Sequence, residues 1–278
     1  MTYFGFLGRF LGPPLVFLIL VTLWDHKQGR LLAATLRSWP ASFVILAHVI
    51  VAILYTTPWD NYLVATGVWW YDPKLVTGIV LGWVPIEEYT FFVLQTIMTG
   101  LWVALLARRL ASEIDAVSPL RNRPFLRWLA TALVGTIWLG SLILFLADWR
   151  SGTYLALILV WALVPIALQV ALGADILWHY RRLVFWALIP VTVYLAIGDG
   201  LAIRSGTWTV DPAQSTGIFF GSLPLEEFIF FLVTNTLVVF GMILVLAQAS
   251  QTRAPQALLA LLPRATTQHR VAARPHNH

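Results

Sequence analysis

Val84 to Phe92 reads VPIEEYTFF, and Leu223 to Phe231 reads LPLEEFIFF. Both phrases lie within strongly apolar stretches, where carboxyl groups are costly to keep and mark functional sites. The likeness extends outward at a constant offset of 139. Asp60 meets Asp199, Gly67 meets Gly206, Trp69 meets Trp208, and Asp72-Pro73 meets Asp211-Pro212. Thr77-Gly78, Gly82, Pro85 and Glu87-Glu88 fall on Thr216-Gly217, Gly221, Pro224 and Glu226-Glu227 without a gap. Upstream of Asp60 only shared hydrophobicity remains. The chain therefore reads as a duplicated unit with a tightly specified centre.

Composition fixes the class. The 278 residues are 59% hydrophobic and 11% charged, against about a quarter charged in a soluble domain, and mean hydropathy is +0.78. This predicts an all-α integral membrane protein. The absence of cysteine excludes disulfides, thiolate chemistry and cysteine-ligated clusters. Leu15 to Leu23 is followed by Trp24-Asp25-His26-Lys27 rather than a small-residue cleavage site, which reads as a retained helix.

Seven stretches are long enough to span, at roughly 3–24, 40–58, 80–107, 127–147, 153–173, 183–203 and 223–248. Residues 75–84 and 214–223 read as interfacial or re-entrant segments leading into spans three and seven. Of the 18 basic residues, 14 fall on one side of this alternation. The positive-inside rule then predicts a multi-pass cell-membrane protein with the N-terminus out and the C-terminus cytoplasmic. Residues 1–110 form a first three-span repeat, 111–150 a linking span, 151–249 a second repeat, and 250–278 a polar, basic cytoplasmic tail whose apolar run Ala257 to Leu262 rests on the interface. One linking helix restores the orientation, so the repeats are parallel and both Glu-Glu pairs lie at the same end.

Pro85 and Pro224 suit a first helical turn, where the missing N–H costs nothing. The glutamates then sit where the helix dipole favours a carboxylate. Consecutive helical residues point about 100° apart, so one glutamate of each pair can face a pocket while its neighbour binds elsewhere. Glu88 shares a face with Phe92 and Gln95, and Glu227 with Phe231, Thr234 and Asn235. Glu87 and Glu226 align with Phe91 and Phe230. Simple helix capping at the interface is the competing account, and duplication in apolar phrases weighs against it. Trp69, Trp70 and Trp208 read as an interfacial aromatic belt, whereas the rings inside the motifs are placed to stabilise a cation. Asp60 and Asp199 serve either as caps of a tight turn or as site residues. His48, alone in span two, reads as a packed helix histidine. No metal-ligand spacing, dinucleotide fingerprint, P-loop or aspartate-rich diphosphate motif occurs.

WDNYLVATGVWWYDP, VPIEEYTFF and LPLEEFIFF together resemble the lycopene cyclase family of integral membrane proteins, found in some bacteria, archaea and fungi. The family's hallmark is Pro-x-Glu followed by Glu or Asp, present here at Pro85-Ile86-Glu87-Glu88 and Pro224-Leu225-Glu226-Glu227. The resemblance covers most of residues 10–245. It implies two three-span domains acting together as an isomerase (an intramolecular lyase) of carotenoid biosynthesis. Such an enzyme turns the ends of lycopene, through gamma-carotene, into beta-ionone rings without a stoichiometric cofactor. The chemistry asks for an acid in an apolar site, aromatic faces for the carbocation and a carboxylate to remove a ring proton. On this reading Glu87, Glu88, Glu226 and Glu227 are catalytic. Asp60, Asp199, Tyr89, Phe91, Phe92, Phe228, Phe230, Phe231, Gln95 and Asn235 bind substrate, with membrane lipid as neighbour and no nucleic acid as partner. Asn61 faces Gly200 across the repeat, a departure from strict equivalence of the halves. Two other readings stay open: a hydratase using the same acid, and a transporter whose glutamates carry protons or cations. Because both motifs fall at one end, the sequence predicts one composite pocket rather than two independent sites.

Overall fold

The computed structural model describes residues 1–117 and 119–253. The tail expectation lies outside these residues except at 250–253. Seven helices are long and apolar enough to cross a membrane. They are α1 Tyr3–Lys27, α2 Ala41–Ala65, α3 Ile86–Val117, α4 Pro124–Leu146, α5 Thr153–His179, α6 Arg181–Arg204 and α7 Leu225–Leu246. A short helix, α8 Gln248–Gln251, follows. The fold is all-α and of membrane type. The buried core runs along α3, α5, α6 and α7, while α4 exposes nearly all its length.

Three boundaries near the site differ from the sequence reading, each for a local reason, and span five also runs on past residue 173 to His179. Span two continues to Ala65 through Pro58. Asp60 is thus a helical residue and not the cap of a turn. The turn caps are Asp72 and Asp211, whose Oδ1 atoms accept the N–H of Lys74 at 2.9 Å and of Ala213 at 3.0 Å. Span three starts at Ile86 instead of residue 80, because Gly78 and Gly82 hold φ of 78° and 72°, which a helix cannot use. Past residue 107, α3 continues to Val117 as a polar extension with Arg108 and Arg109 at its base.

The residues ahead of α3 and α7 fold into matching hairpins. Strand β2 (Val80–Leu81) pairs with β3 (Val84–Pro85), and β5 (Phe219–Phe220) with β6 (Leu223–Pro224). The two-residue loops Gly82-Trp83 and Gly221-Ser222 place positive φ at the first position only. That is the type II′ pattern, whose twist matches the flanking strands. Between the halves, β1 (Trp69–Tyr71) pairs antiparallel with β4 (Trp208–Val210). Trp70 faces Thr209, its own counterpart at offset 139, and Trp69 faces Val210 as Tyr71 faces Trp208. Antiparallel pairing of equivalent strands about an equivalent pair is the geometry of a local two-fold. The same exchange recurs in the backbone: Asp72 N–H donates to Thr207 and Asp211 N–H donates to Val68.

Ion pairs lock the opposite end. Asp25, fully buried, accepts from Arg108 at 3.1 Å and Arg109 at 3.0 Å. Asp175 accepts from Arg253 at 2.7 Å and from the Arg123 N–H at 3.0 Å. The basic residues that set the predicted topology thus also fasten α1 to α3 and α5 to the segment after α7.

Candidate active site

The site is assembled where the C-terminal ends of α2 and α6 meet the N-terminal ends of α1, α3, α5 and α7. Helix α2 delivers Trp59 and Asp60, and α6 delivers Asp199. Helix α3 delivers Glu88, Phe91 and Phe92, and α7 delivers Glu227, Phe230 and Phe231. All of them line one small cavity of about 40 Å³. Each half supplies one aspartate and one glutamate. All four carboxyl groups are at most 8% exposed, and no lysine, arginine or histidine shares the lining.

Within each Glu-Glu pair the two side chains part company, as the 100° step between neighbours requires. Glu87 Oε1 accepts the Thr77 N–H at 2.6 Å, and Glu226 Oε1 accepts both the N–H and the hydroxyl of Thr216 at 2.7 Å. These two glutamates pin the segment before each hairpin to the helix that follows it. Glu88 and Glu227 turn inward. Glu88 Oε2 accepts the Tyr3 phenol at 2.5 Å and the Tyr71 phenol at 3.0 Å, and Trp69 Nε1 donates to the Tyr71 oxygen at 3.1 Å. Glu227 Oε1 accepts the Tyr154 phenol at 2.8 Å. The second half has Val210 where the first has Tyr71, so Glu227 lacks a second phenolic donor. Both oxygens of Asp60 and Oδ2 of Asp199 have no hydrogen-bond partner although buried.

Tyr3 and Tyr154 carry no sequence signal at the 139 offset, yet they are equivalent. Tyr3 N–H donates to Leu75 at 2.8 Å and Tyr154 N–H donates to Gln214 at 3.0 Å, and Leu75 and Gln214 are themselves 139 apart. Aromatic rings close the lining. Trp59 stacks on Trp161 at 4.5 Å and on Phe230 at 5.8 Å, nearly parallel to the latter at 5°. Tyr3 packs against Trp208 at 4.9 Å, and Phe91 meets Phe231 edge to face at 6.1 Å. Trp69 and Trp208, expected in an interfacial belt, are buried in this lining, because β1 and β4 fold inward over it. Trp70 stays exposed.

The other expected substrate contacts lie outside this small cavity. Tyr89 donates to the Leu81 carbonyl at 2.8 Å and accepts from Asn61, and Phe228 packs edge-on against Phe220 at 5.8 Å. Both brace their hairpins. Gln95 donates to Thr234 at 3.2 Å, its counterpart across the two-fold, and Asn235 accepts from Thr99 at 3.0 Å and donates to Thr192 at 3.2 Å. This buried polar knot joins α3, α6 and α7 below the pocket. Asn61 and Gly200 also tie hairpins: Asn61 Oδ1 accepts the Trp83 N–H at 2.7 Å, and the Ser222 hydroxyl donates to the Gly200 carbonyl at 2.6 Å. That departure from symmetry changes an anchor and leaves the acids in place. Among the described residues, no group of three or more His, Asp or Glu side chains is arranged to hold a metal ion.

A family model described as lycopene cyclase matches residues 14–106 and again 151–246. The chain belongs to the lycopene cyclase family. Each matched stretch contains one Glu-Glu phrase, and the interval between them contains α4. A lycopene beta-cyclase of Halobacterium salinarum is 40% identical over 245 residues, which cover 87% of this chain and 95% of that protein. A bifunctional lycopene cyclase/phytoene synthase of Aspergillus niger is 34% identical over 197 residues, 69% of this chain but 33% of its own length. One from Phaeosphaeria nodorum is 36% identical over 214 residues, 72% of this chain and 35% of that protein. No solved structure matches the chain.

Proposed function

We propose that this chain cyclises the ends of lycopene to beta-ionone rings, by acid-initiated isomerisation in one pocket shared by both halves. One observation carries the reading: Glu88 and Glu227, from different repeats, line the same aromatic cavity. Family membership and the Halobacterium salinarum relative support the substrate.

The lining offers carboxyl groups and the phenols of Tyr3, Tyr71 and Tyr154 as proton sources, and a carboxyl group is by far the stronger acid for an alkene. We assign the donor role to Glu227, held by one phenol, and the acceptor role to Glu88, fixed by two. The proton adds to the terminal double bond of the polyene and leaves a tertiary cation. A double bond further along the chain closes on that cation, forming the six-membered ring and moving the charge into it. Loss of a ring proton to Glu88 restores a double bond. One proton enters and one leaves, so the product is an isomer. The faces of Trp59, Trp208 and Phe231 meet the travelling charge, with the unpartnered oxygens of Asp60 and Asp199 beside them. Tyr3, Tyr71 and Tyr154 orient the two glutamates. Glu87 and Glu226 act as positioning residues through the hairpins.

A transporter needs acids near mid-membrane with access from both sides. Glu88 and Glu227 instead occupy the first turns of their helices, which favours the cyclase. The 1–110 and 151–249 units then act as one catalytic body. The count of 14 basic residues on one side supports an N-terminus outside and a C-terminus in the cytoplasm. Expression in lycopene-accumulating cells tests the function. Cyclic pigment is expected with the wild-type chain, and none with folded Glu227→Gln. Unchanged lycopene with the wild-type chain would refute the reading.

A further inference from the structure

A larger cavity of about 450 Å³ lies below the acid pocket, between α2, α5 and α7, with Phe92, Gln95 and Thr96 of α3 on its wall. Phe92 and Phe230 line both cavities, so the larger begins where the smaller ends. It reaches along α2 as far as Ala47, 13 residues from Asp60, or about 20 Å of helix. Its walls are mostly apolar, with Ala52 and Val51 on α2 and Pro165 on α5. At its end nearest the acid pocket α2 and α5 are tied, since the Tyr55 phenol donates to the Trp161 carbonyl at 2.9 Å and Trp59 Nε1 to the Leu157 carbonyl at 3.2 Å. Val51, on the rim, is 61% exposed on the face that meets lipid.

The two-fold relates this cleft to a second position, between α6, α1 and α3. The anchors match there: the Tyr194 phenol donates to the Phe10 carbonyl at 2.7 Å, as Tyr55 does to Trp161. The space does not match. Gly241 on α7 corresponds to Trp102 on α3, whose indole N–H donates to the Trp186 carbonyl at 3.0 Å and ties α3 to α6. Ala52 and Thr56 correspond to Val191 and Leu195, which are 7% and 1% exposed core residues. At Gly241 a Cβ would collide with the His48 ring, so the glycine lets His48 and Gln169 pack against α7 at the inner end of the cleft.

We infer that the cleft between α2, α5 and α7 holds the linear polyene chain while its end occupies the acid pocket, and that substrate enters sideways from the bilayer through this one side of a nearly two-fold molecule. The inference rests on the proposed cyclase reading. The acid pocket, at about 40 Å³, holds far less than a forty-carbon chain. The cleft continues directly from it, at the depth where a dissolved polyene lies. A bulky side chain in the wall should therefore exclude the chain while leaving the acids untouched.

The test uses Ala52→Trp in the wall and Val51→Trp at the rim, with Leu54→Trp on the lipid face of the same helix as control. The first readout is turnover of lycopene in membranes. The second is the amount of lycopene that copurifies with Glu227→Gln, with and without each tryptophan. Ala52→Trp should lower turnover at least about tenfold and remove the copurifying polyene, with thermal unfolding unchanged. Leu54→Trp should change neither readout. If Ala52→Trp does not fold, Val51→Trp carries the same expectation from a more exposed position. Wild-type turnover and retention in both variants would overturn the inference. So would copurifying phospholipid that leaves on Ala52→Trp while turnover stays, since the cleft would then hold an acyl chain only. A wild-type chain that does not convert lycopene would count against the cyclase reading, and the copurification arm would still read the cleft.

Discussion

Glu88 and Glu227 stand 139 residues apart and line one cavity, each fixed by a tyrosine of the helix opening its own half: Tyr3 at 2.5 Å and Tyr154 at 2.8 Å. An acidic side chain within a membrane-spanning segment is costly to keep and marks a functional site. Four in one lining is more than helix capping would select, and their convergence from four helices supplies the carboxyl groups that the proposed reaction uses as proton donor and acceptor. The duplicated fold matters here because neither half encloses the cavity alone.

The outward glutamates should act on stability before chemistry. Glu226 is fully buried and holds the Thr216 N–H and hydroxyl. Glu226→Ala leaves those donors unpaired and should cost about 1–3 kcal/mol, read as a lower unfolding temperature in detergent, with activity falling in parallel. Normal unfolding with complete loss of cyclisation would show instead that Glu226 belongs to the chemistry.

The tyrosines should act on rate. Tyr154→Phe removes the one hydroxyl that fixes Glu227 and should lower kcat about tenfold with KM little changed. Tyr3→Phe should do less, because Tyr71 still donates to Glu88 at 3.0 Å. Equal losses in both variants, or an effect confined to KM, would contradict the roles assigned here.

Much of this site was legible in the sequence. The repeat exposed Asp60 and Asp199 together with both Glu-Glu pairs, and helical geometry divided each pair into an inward and an outward member. The tyrosines were not legible, for a countable reason. Residues 28–40 join α1 to α2, whereas Tyr180 alone joins α5 to α6. Those 12 extra residues shift the register upstream from 139 to 151, so a gapless comparison never sets Tyr3 against Tyr154. Pro14 and Pro165, also 151 apart, were the available clue. Trp69 and Trp208 were misplaced because tryptophan suits both a membrane interface and an aromatic lining. Only the pairing of β1 with β4, a contact between distant segments, turns them inward.

The aromatic lining makes its own prediction. Trp59 lies parallel to Phe230 and stacks on Trp161. If its face stabilises the cation by about 1–2 kcal/mol, Trp59→Leu should lower kcat roughly tenfold, and Trp59→Phe should recover part of it. A leucine variant as fast as the phenylalanine variant would limit Trp59 to packing.

At the far end, Asp25→Ala should destabilise without touching the reaction. It strands Arg108, 9% exposed, and frees Arg109, already 39% exposed. The expected cost is about 2–3 kcal/mol, below the 3–5 of a fully buried pair because Arg109 reaches solvent. The product pattern of the folded fraction should match the wild type; a changed ratio of one-ringed to two-ringed pigment would refute the separation of the two ends.

The shared pocket is tested most directly by pigment analysis of two variants in lycopene-accumulating cells, Glu87→Gln/Glu88→Gln and Glu226→Gln/Glu227→Gln. With acid and base drawn from opposite halves, each variant should lose both one-ringed and two-ringed products while the protein is still present in the membrane. If either variant still forms the one-ringed carotenoid at a substantial rate, the halves work independently and the account is wrong.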